Sequence, residues 1–211
     1  MKTKKGDFIE LDFVGRIKET NEIFDLTSES IAKKENIFRK GFNYRPWIVC
    51  IGEGDVIKGL DKELEGKEIN KNYSIYLDPE DAFGKRDSKL LQLVNTAKFR
   101  QQKIMPYPGL QLNIDGLIGT VKSVSGSRTL IDFNNPLSGK DIIYEFKINK
   151  VIGDDIEKLK KFFDFHFNQQ IEVEKKEDKF LIKKFKIADP FKEIIKTRLE
   201  RLLGKKVEYA L

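Results

Sequence analysis

The amino-acid sequence predicts an α+β protein built from three regions. Short runs of alternating apolar and polar residues are typical of half-buried strands, and a few segments carry apolar residues at helical spacing. The charge also changes along the chain. Residues 85–133 contain eight basic and three acidic residues, whereas 1–84 and 134–153 together contain 17 basic and 19 acidic residues. We therefore expect three domains: 1–84 plus 134–153, the insert 85–133, and 154–211.

The composition indicates a folded protein that does not span a membrane. Hydrophobic residues make up 39% of the chain and charged residues 35%, too polar for a membrane protein and too apolar for a disordered one. No stretch approaches the ~20 uninterrupted apolar residues of a membrane helix. The basic residues at the start are not followed by the apolar core of a signal peptide. We expect a soluble, cytoplasmic protein.

The scarcity of cysteine and histidine excludes several kinds of site. Cys50 is the single cysteine, so no internal disulfide forms, and no Cys/His cluster exists to hold zinc. His166 is the single histidine and lies in an aromatic run over 162–167. This surrounding favours a histidine on a helix face beside a core, and it argues against histidine-based catalysis.

The first region is predicted to be rich in strands. Ile9, Leu11 and Phe13 alternate with acidic residues, which indicates a half-buried strand. Further strands are predicted over 46–51, 73–77 and 142–148. Between them, 56–66 has apolar residues at positions 57, 60 and 64, so we predict a short amphipathic helix that ends at Gly66.

The insert and the third region have different patterns. In the insert, prolines and glycines separate short apolar strands, which predicts a small β domain with tight turns. The third region begins with a helix capped by Asp154 or Asp155, followed by a hairpin over 171–182. Its last helix is predicted to have Asp189 as N-cap and to stop at Gly204.

The last helix has a strong apolar stripe. We expect it to bury the six apolar residues of that stripe: Phe191, Ile194, Ile195, Leu199, Leu202 and Leu203. A region of fewer than ~60 residues is marginal for an independent core. The stripe therefore predicts docking of residues 154–211 onto the rest of the chain or onto a second copy, and a homodimer is expected through this region.

Four motifs in order along the chain carry a family resemblance. They are Val56-Ile57-Lys58-Gly59-Leu60-Asp61, Leu64-Glu65-Gly66, Pro79-Glu80-Asp81-Ala82-Phe83-Gly84 and Asn134-Asn135-Pro136-Leu137-Ser138-Gly139. The first three resemble the signatures of the FKBP-type peptidyl-prolyl isomerases. The fourth is similar to the motif that closes the insert-in-flap domain of the SlyD-like branch. The resemblance covers about residues 5–153.

The resemblance implies a fold and a site. The fold is a bent antiparallel sheet around the helix at 57–65. The catalytic residues that it implies are Asp25, Phe13, Phe83 and Phe146. The substrate-binding residues that it implies are Phe24, Trp47, Val56, Ile57 and Leu60. No metal and no cofactor are implied, because Asn135 replaces the usual histidine and the histidine-rich tail of some relatives is absent.

The expected activity suits a site without a nucleophile. Rotation about an Xaa-Pro bond breaks no covalent bond, and a twisted amide has less charge separation than a planar one, so an apolar pocket favours the twist. The resemblance implies an isomerase acting on unfolded or partly folded proline-containing polypeptides, with an insert that has chaperone activity. Residues 90–118 support this with apolar groups among flexible and basic ones.

Two alternatives remain open from the sequence. Phe13 and Phe83 stand where many relatives have tyrosine, so the chain could be a holdase chaperone that has lost catalysis. The pI near 9.1 and the basic insert suit an RNA- or ribosome-associated protein. Acidic residues interrupt every basic run, however, and we expect no nucleic-acid partner.

Overall fold

A computed structural model describes residues 1–210. The chain divides into two compact units, one formed by residues 1–77 with 142–210 and the other by Asp78–Asp141. The secondary structure is mixed α+β with predominantly antiparallel sheets, which confirms the predicted fold class. Strands and helices are numbered below in chain order. Among the described residues, no helix is both long enough and apolar enough to cross a membrane.

The first unit is built on a five-stranded antiparallel sheet. Its strands are β1 (Phe8–Ile17), β2 (Ile23–Leu26), β3 (Trp47–Cys50), β4 (Asn72–Leu77) and β9 (Ile142–Ile152). The strand order is β2-β1-β9-β4, and β3 pairs with the other half of the same edge of β1. The strands predicted from alternation are all present, because each has one row of apolar side chains to bury.

The first unit also contains two short helices in the N-terminal half of the chain. α1 (Glu29–Lys34) begins after Ser28, whose hydroxyl accepts a hydrogen bond from the Ile31 backbone N–H. α2 (Lys58–Glu63) packs against β4 and contributes the buried Leu60. Gly66 follows with a φ of +74°, a conformation that ends the helical segment at low cost only for glycine. The predicted amphipathic helix is therefore confirmed.

Residues 154–210 pack on the face of the sheet that carries Phe8, Ile48 and Cys50. They form α4 (Asp155–Phe167), β10 (Glu172–Lys176), β11 (Lys179–Lys183), α5 (Asp189–Leu203) and β12 (Lys206–Tyr209). One continuous core joins the sheet to this region. The sheet contributes Phe8, Ile48, Cys50 and Ile152, and the C-terminal region contributes Leu159, Phe162, Phe163, Phe180 and Leu199 among others. The apolar stripe thus docks onto the same chain, one of the two outcomes that the sequence predicts.

The structure corrects two details of the last helix. Its N-cap is Ala188, so Asp189 is the first helical residue and not the cap. Ile195 and Leu199 are buried as predicted, but Phe191 and Ile194 are 56% and 67% exposed. Ile194 lies about 100° around the helix from Ile195, and Phe191 lies in the first turn, beyond the buried part of the helix.

The second unit is a four-stranded antiparallel sheet with order β5-β8-β7-β6. Its elements are a 3₁₀ turn (Ser88–Leu90), β5 (Leu91–Asn95), α3 (Thr96–Gln101), β6 (Gln111–Ile114), β7 (Leu117–Ser125) and β8 (Arg128–Asp132). β6 and β7 are joined by Asp115-Gly116, both with positive φ, as a two-residue hairpin turn requires. The small core is built on Phe99, Val121 and Ile131.

Candidate functional site

An aromatic cluster lies where β1, β2 and β9 meet. The rings of Phe13 and Phe24 each meet the ring of Tyr144 edge-on, with centroids 5.7 Å apart in both pairs. Gly15 makes this approach possible. A Cβ at Gly15 would lie 2.6 Å from the Phe24 ring and 3.0 Å from the Tyr144 ring. The glycine therefore lets two aromatic rings close over the backbone of β1.

Trp47 extends the cluster along β3. Its ring meets Phe13 edge-on at 5.0 Å, because Trp47 pairs with Leu11 and lies on the same face of the sheet as Phe13. On its other side it contacts Phe165 of α4 at 5.7 Å. Trp47 is half-buried, so the cluster reaches the surface at this edge.

Asp25 places a carboxylate next to these rings. It pairs with Gly15 across β1 and β2. Burial raises the pKa of Asp25 above its ordinary value, although a hydrogen bond from the Leu26 backbone N–H acts in the opposite direction. Burial also raises the pKa of Tyr144, and the negative charge of Asp25 adds to this shift. The Tyr144 hydroxyl therefore keeps its proton at neutral pH.

The end of β2 is held by a buried threonine. The Thr27 hydroxyl accepts a hydrogen bond from the Phe13 backbone N–H at 3.0 Å and lies 2.8 Å from a carboxylate oxygen of Asp12. This arrangement fixes β2 against β1, and with it the positions of Phe24 and Asp25. Both residues line a pocket of about 370 Å³ whose other wall is the loop over 37–44.

Val56 and Ile57 lie in the β3–α2 connection, and Leu60 lies in α2. Val56 and Ile57 are half-buried, and Leu60 is buried. The Asp61 carboxylate accepts hydrogen bonds from the backbone N–H groups of Gly52 at 2.8 Å and Gly54 at 3.1 Å. The connection is therefore tied to the start of the helix that carries Leu60.

Phe146 lies next to Phe13 in the sheet, whereas Phe83 lies in the second unit. Phe146 pairs with Phe13 across β1 and β9, is buried, and stacks on Tyr73 at 5.4 Å. Phe83 belongs to the second unit, where its carbonyl accepts a hydrogen bond from the Ser138 hydroxyl at 3.0 Å.

Sequence reasoning did not select Tyr144. The alternation of β9 puts Tyr144 on the same face as Phe146, a predicted site residue, so the sequence pattern did indicate Tyr144. Only the register against β1 and β2 shows that Tyr144 is the residue beside Phe24.

This arrangement is suited to binding an apolar group. The residues that the structure describes contain no group of three or more His, Cys, Asp or Glu side chains able to hold a metal ion. His166 lies on α4 with its ring 4.5 Å from that of Phe162, and burial lowers its pKa. The half-buried rings of Phe24 and Trp47 offer a surface for an apolar ring, with the half-buried carboxylate of Asp25 beside it. Phe13 and Tyr144 are buried.

Comparison with known proteins shows a similarity to one family. The sequence pattern of the family FKBP-type peptidyl-prolyl cis-trans isomerase matches residues 1–100, and that of the FKBP26 IF domain matches residues 92–137. The short-type peptidyl-prolyl cis-trans isomerase of Methanocaldococcus jannaschii is 26% identical over 148 residues, 70% of this chain and 93% of that protein.

Relatives that match a smaller part of the chain are isomerases of the same type. The FKBP-type isomerase SlyD of Helicobacter pylori is 28% identical over 116 residues, covering 54% of this chain and 63% of that protein. The FKBP-type 16 kDa isomerase of Escherichia coli is 23% identical over 113 residues, covering 52% and 76%. The chain is therefore similar to the FKBP-type peptidyl-prolyl cis-trans isomerases over residues 1–100 and to SlyD-like members of that family.

The raised pKa of Asp25 predicts a stability effect. A carboxyl group whose pKa is higher in the folded than in the unfolded protein binds its proton more tightly when folded, so stability falls as pH rises through the raised pKa. Asp25→Asn removes the buried charge and keeps the acceptor for Leu26. We expect a melting temperature at pH 7 that is equal to or above that of the wild type.

This difference should shrink as pH falls through the raised pKa towards 3.8, the ordinary value, and stay constant below it, because the wild-type carboxyl is then protonated in both the folded and the unfolded protein. Calorimetry between pH 3 and 8 measures it, with the exposed Glu22→Gln as the matched control. A lower melting temperature for Asp25→Asn at pH 7 would contradict the assignment.

Proposed function

We propose that this chain accelerates cis-trans isomerisation of Xaa-Pro bonds in unfolded or partly folded polypeptides. The site would comprise Phe13, Phe24, Asp25, Trp47 and Tyr144, lined also by Val56 and Ile57 of the β3–α2 connection and by Leu60 of α2. The observation that carries this proposal is the half-buried Asp25 carboxylate beside the aromatic cluster, in a chain similar to this family.

The mechanism follows from the physics of the prolyl amide. Resonance gives the peptide bond a rotation barrier of ~18–20 kcal/mol, whereas the two isomers of an Xaa-Pro bond differ by only about 0.5–1 kcal/mol. Uncatalysed exchange takes tens of seconds and can limit folding. A planar amide is more polar than a twisted one, so a pocket that removes water lowers the cost of reaching the twisted state.

The polar groups of the cluster would orient the amide. Asp25 is placed to interact with the polar end of a prolyl amide whose ring lies on the aromatic surface. Tyr144 supplies a protonated hydroxyl in a cluster where Phe13 has none. Phe146, opposite Phe13 in the sheet, would support that ring. We also propose Phe83 as a catalytic residue, because it lies in the motif at 79–84. The variant Phe83→Ala tests this role.

The activity can be tested on a short Xaa-Pro peptide. We expect turnover by the wild type, and a loss in kcat/KM of about tenfold or more in Asp25→Asn, equivalent to at least ~1.4 kcal/mol of transition-state stabilisation. Tyr144→Phe should lose less, since it removes one hydroxyl and keeps the ring. Glu19→Gln, at an exposed residue that does not line the pocket, serves as the control. Unchanged turnover in both site variants would refute this pocket. A wild type that suppresses aggregation without any peptide turnover would instead be a holdase.

We further propose that the three predicted regions are functional domains. Residues 1–84 plus 134–153 would form the catalytic domain, and 85–133 an insert that binds unfolded chains. In the second unit, Phe99, Val94, Ile104 and Leu110 belong to its core. Other apolar side chains in this unit are exposed by more than half of their surface: Leu93, Met105, Tyr107, Leu117 and Ile118. An exposed apolar surface with a methionine suits loose recognition of many sequences.

Excising residues 86–133 tests the insert. The two ends of the excision lie side by side, since the Asp87 backbone N–H donates to Asn134 at 2.8 Å and Gly139 N–H donates to the Gly84 carbonyl at 2.8 Å. We expect the shortened protein to keep turnover of a short peptide, but to lose most of its catalysis of proline-limited protein refolding. Leu93→Ser with Ile118→Ser is the matched full-length variant and should behave in the same way. Refolding activity equal to that of the wild type, in both the shortened protein and the double variant, would contradict the proposal.

A homodimer through residues 154–211 is also proposed. Phe191 and Ile194 of α5 are large apolar side chains exposed on one helix, in a region whose other large apolar residues are buried or partly buried. We expect light scattering at micromolar concentration to give twice the mass of the chain, and Ile194→Glu to give the mass of one chain. A wild type with the mass of one chain would exclude the dimer.

A further inference from the structure

The C-terminal region contacts both chain segments that flank β3. The segment before β3 leads into Trp47, and the segment after it leads into Val56 and Ile57. Side chains of α4 hold the first segment, and side chains of α5 hold the second. The contacts therefore fall next to the proposed prolyl site, although residues 154–210 contribute none of its proposed residues.

The contact with the more buried carboxylate joins Arg198 to Asp55. The Arg198 Nη2 atom donates to the Asp55 Oδ1 atom at 2.6 Å, and the Asp55 side chain is only 8% exposed. The guanidinium also lies 5.6 Å from the centre of the Phe162 ring. A shielded carboxylate with a charged partner is costly to leave unpaired, so this ion pair holds its geometry more firmly than an exposed pair would.

Asp55 connects Arg198 to the backbone of β3. Its second oxygen accepts a hydrogen bond from the Cys50 N–H at 2.9 Å. One turn further along α5, Arg201 donates to both oxygens of Glu53 at 2.7 and 2.5 Å, and this guanidinium holds the pKa of Glu53 below its ordinary value. With Asp61 binding Gly52 and Gly54 from the other side, the connection over 52–55 is clamped between α2 and α5.

The segment before β3 is held in a comparable way. Arg45 donates to the Asp164 carboxylate at 2.6 Å and to the carbonyls of Asp164 at 3.0 Å and Phe165 at 3.3 Å. The Arg45 guanidinium lies 5.2 Å from the centre of the Phe165 ring, and that ring contacts Trp47. Trp47 is thus packed between Phe13 and a residue of the C-terminal region.

We propose that the C-terminal region is a positioning element for the prolyl site. Arg198 acts through Asp55 to fix the backbone that leads into Val56 and Ile57, and Phe165 fixes the ring of Trp47. Arg198 is therefore a positioning residue, since it acts through its partner and is absent from the pocket. This inference rests on the proposed function, because it concerns the same site.

The test compares three variants of the full chain. Arg198→Gln removes the charge, Arg198→Lys keeps it, and Lys196→Gln removes a charge from the same helix at a residue whose ammonium lies 3.8 Å from Glu193. We expect Arg198→Gln to raise KM for a short Xaa-Pro peptide about threefold to tenfold with kcat little changed, because preorganisation of the pocket wall is lost. Arg198→Lys should recover much of the loss, and Lys196→Gln should match the wild type.

A second measurement separates positioning from stability. Asp55→Asn should reproduce the effect of Arg198→Gln, and the double variant should be no worse than either single one. A variant that is merely less stable has fewer folded molecules, so its apparent kcat falls while KM stays at the wild-type value. That result, or a wild-type KM in Arg198→Gln, would overturn the inference and leave the proposed function standing.

Binding can also be followed without turnover. The chain has one tryptophan, so its fluorescence reports on Trp47 alone. If the wild type binds the peptide but does not isomerise it, the proposed function fails, and a weaker peptide affinity in Arg198→Gln still supports positioning. Equal peptide affinities of the wild type and Arg198→Gln would overturn the positioning role. A wild type that neither binds nor turns over the peptide would also overturn it.

Discussion

Strand β1 pairs with three other strands, and the rest of the first unit depends on its register. Its side chains alternate between a face that carries Leu11 and Phe13 and a face that carries Phe8 and Glu10. The first face holds the aromatic cluster, and the second forms the core shared with the C-terminal region. A shift of one residue would exchange the two faces, so burial on both sides fixes the register strongly. One strand thus positions the candidate site and the surface that receives α4.

Local signals were sufficient for most individual elements. Apolar patterns identified β1, β3, β4 and β9 of the sheet but not β2, and the spacing of 57, 60 and 64 with Gly66 identified α2. The cap at Asp154 is also where the sequence puts it, with its carboxylate accepting from the Glu157 backbone N–H at 2.8 Å. These features depend on residues within one or two turns of each other, and neighbouring residues in the sequence are enough to specify them.

The features that the sequence left unresolved depend on distant partners. Whether Tyr144 or Phe146 lies beside Phe24 is decided by pairing between strands more than a hundred residues apart. The exposure of Phe191 and Ile194 depends on where the shared core ends. The ion pairs of basic residues that are adjacent in the sequence also depend on the fold. Lys183 and Lys184 are adjacent in the sequence, yet each is paired with a glutamate of β10.

Cys50 shows a consequence of the shared core for chemical reactivity. Its thiol lies between the sheet and the C-terminal region, and burial together with the nearby Glu53 and Asp55 raises its pKa to about 12. At neutral pH it stays a protonated thiol, which is a poor nucleophile towards oxidants and alkylating agents. A cysteine introduced at an exposed position would therefore be the preferred point of attachment for a spectroscopic label, with no need to remove Cys50 and open a cavity in the core.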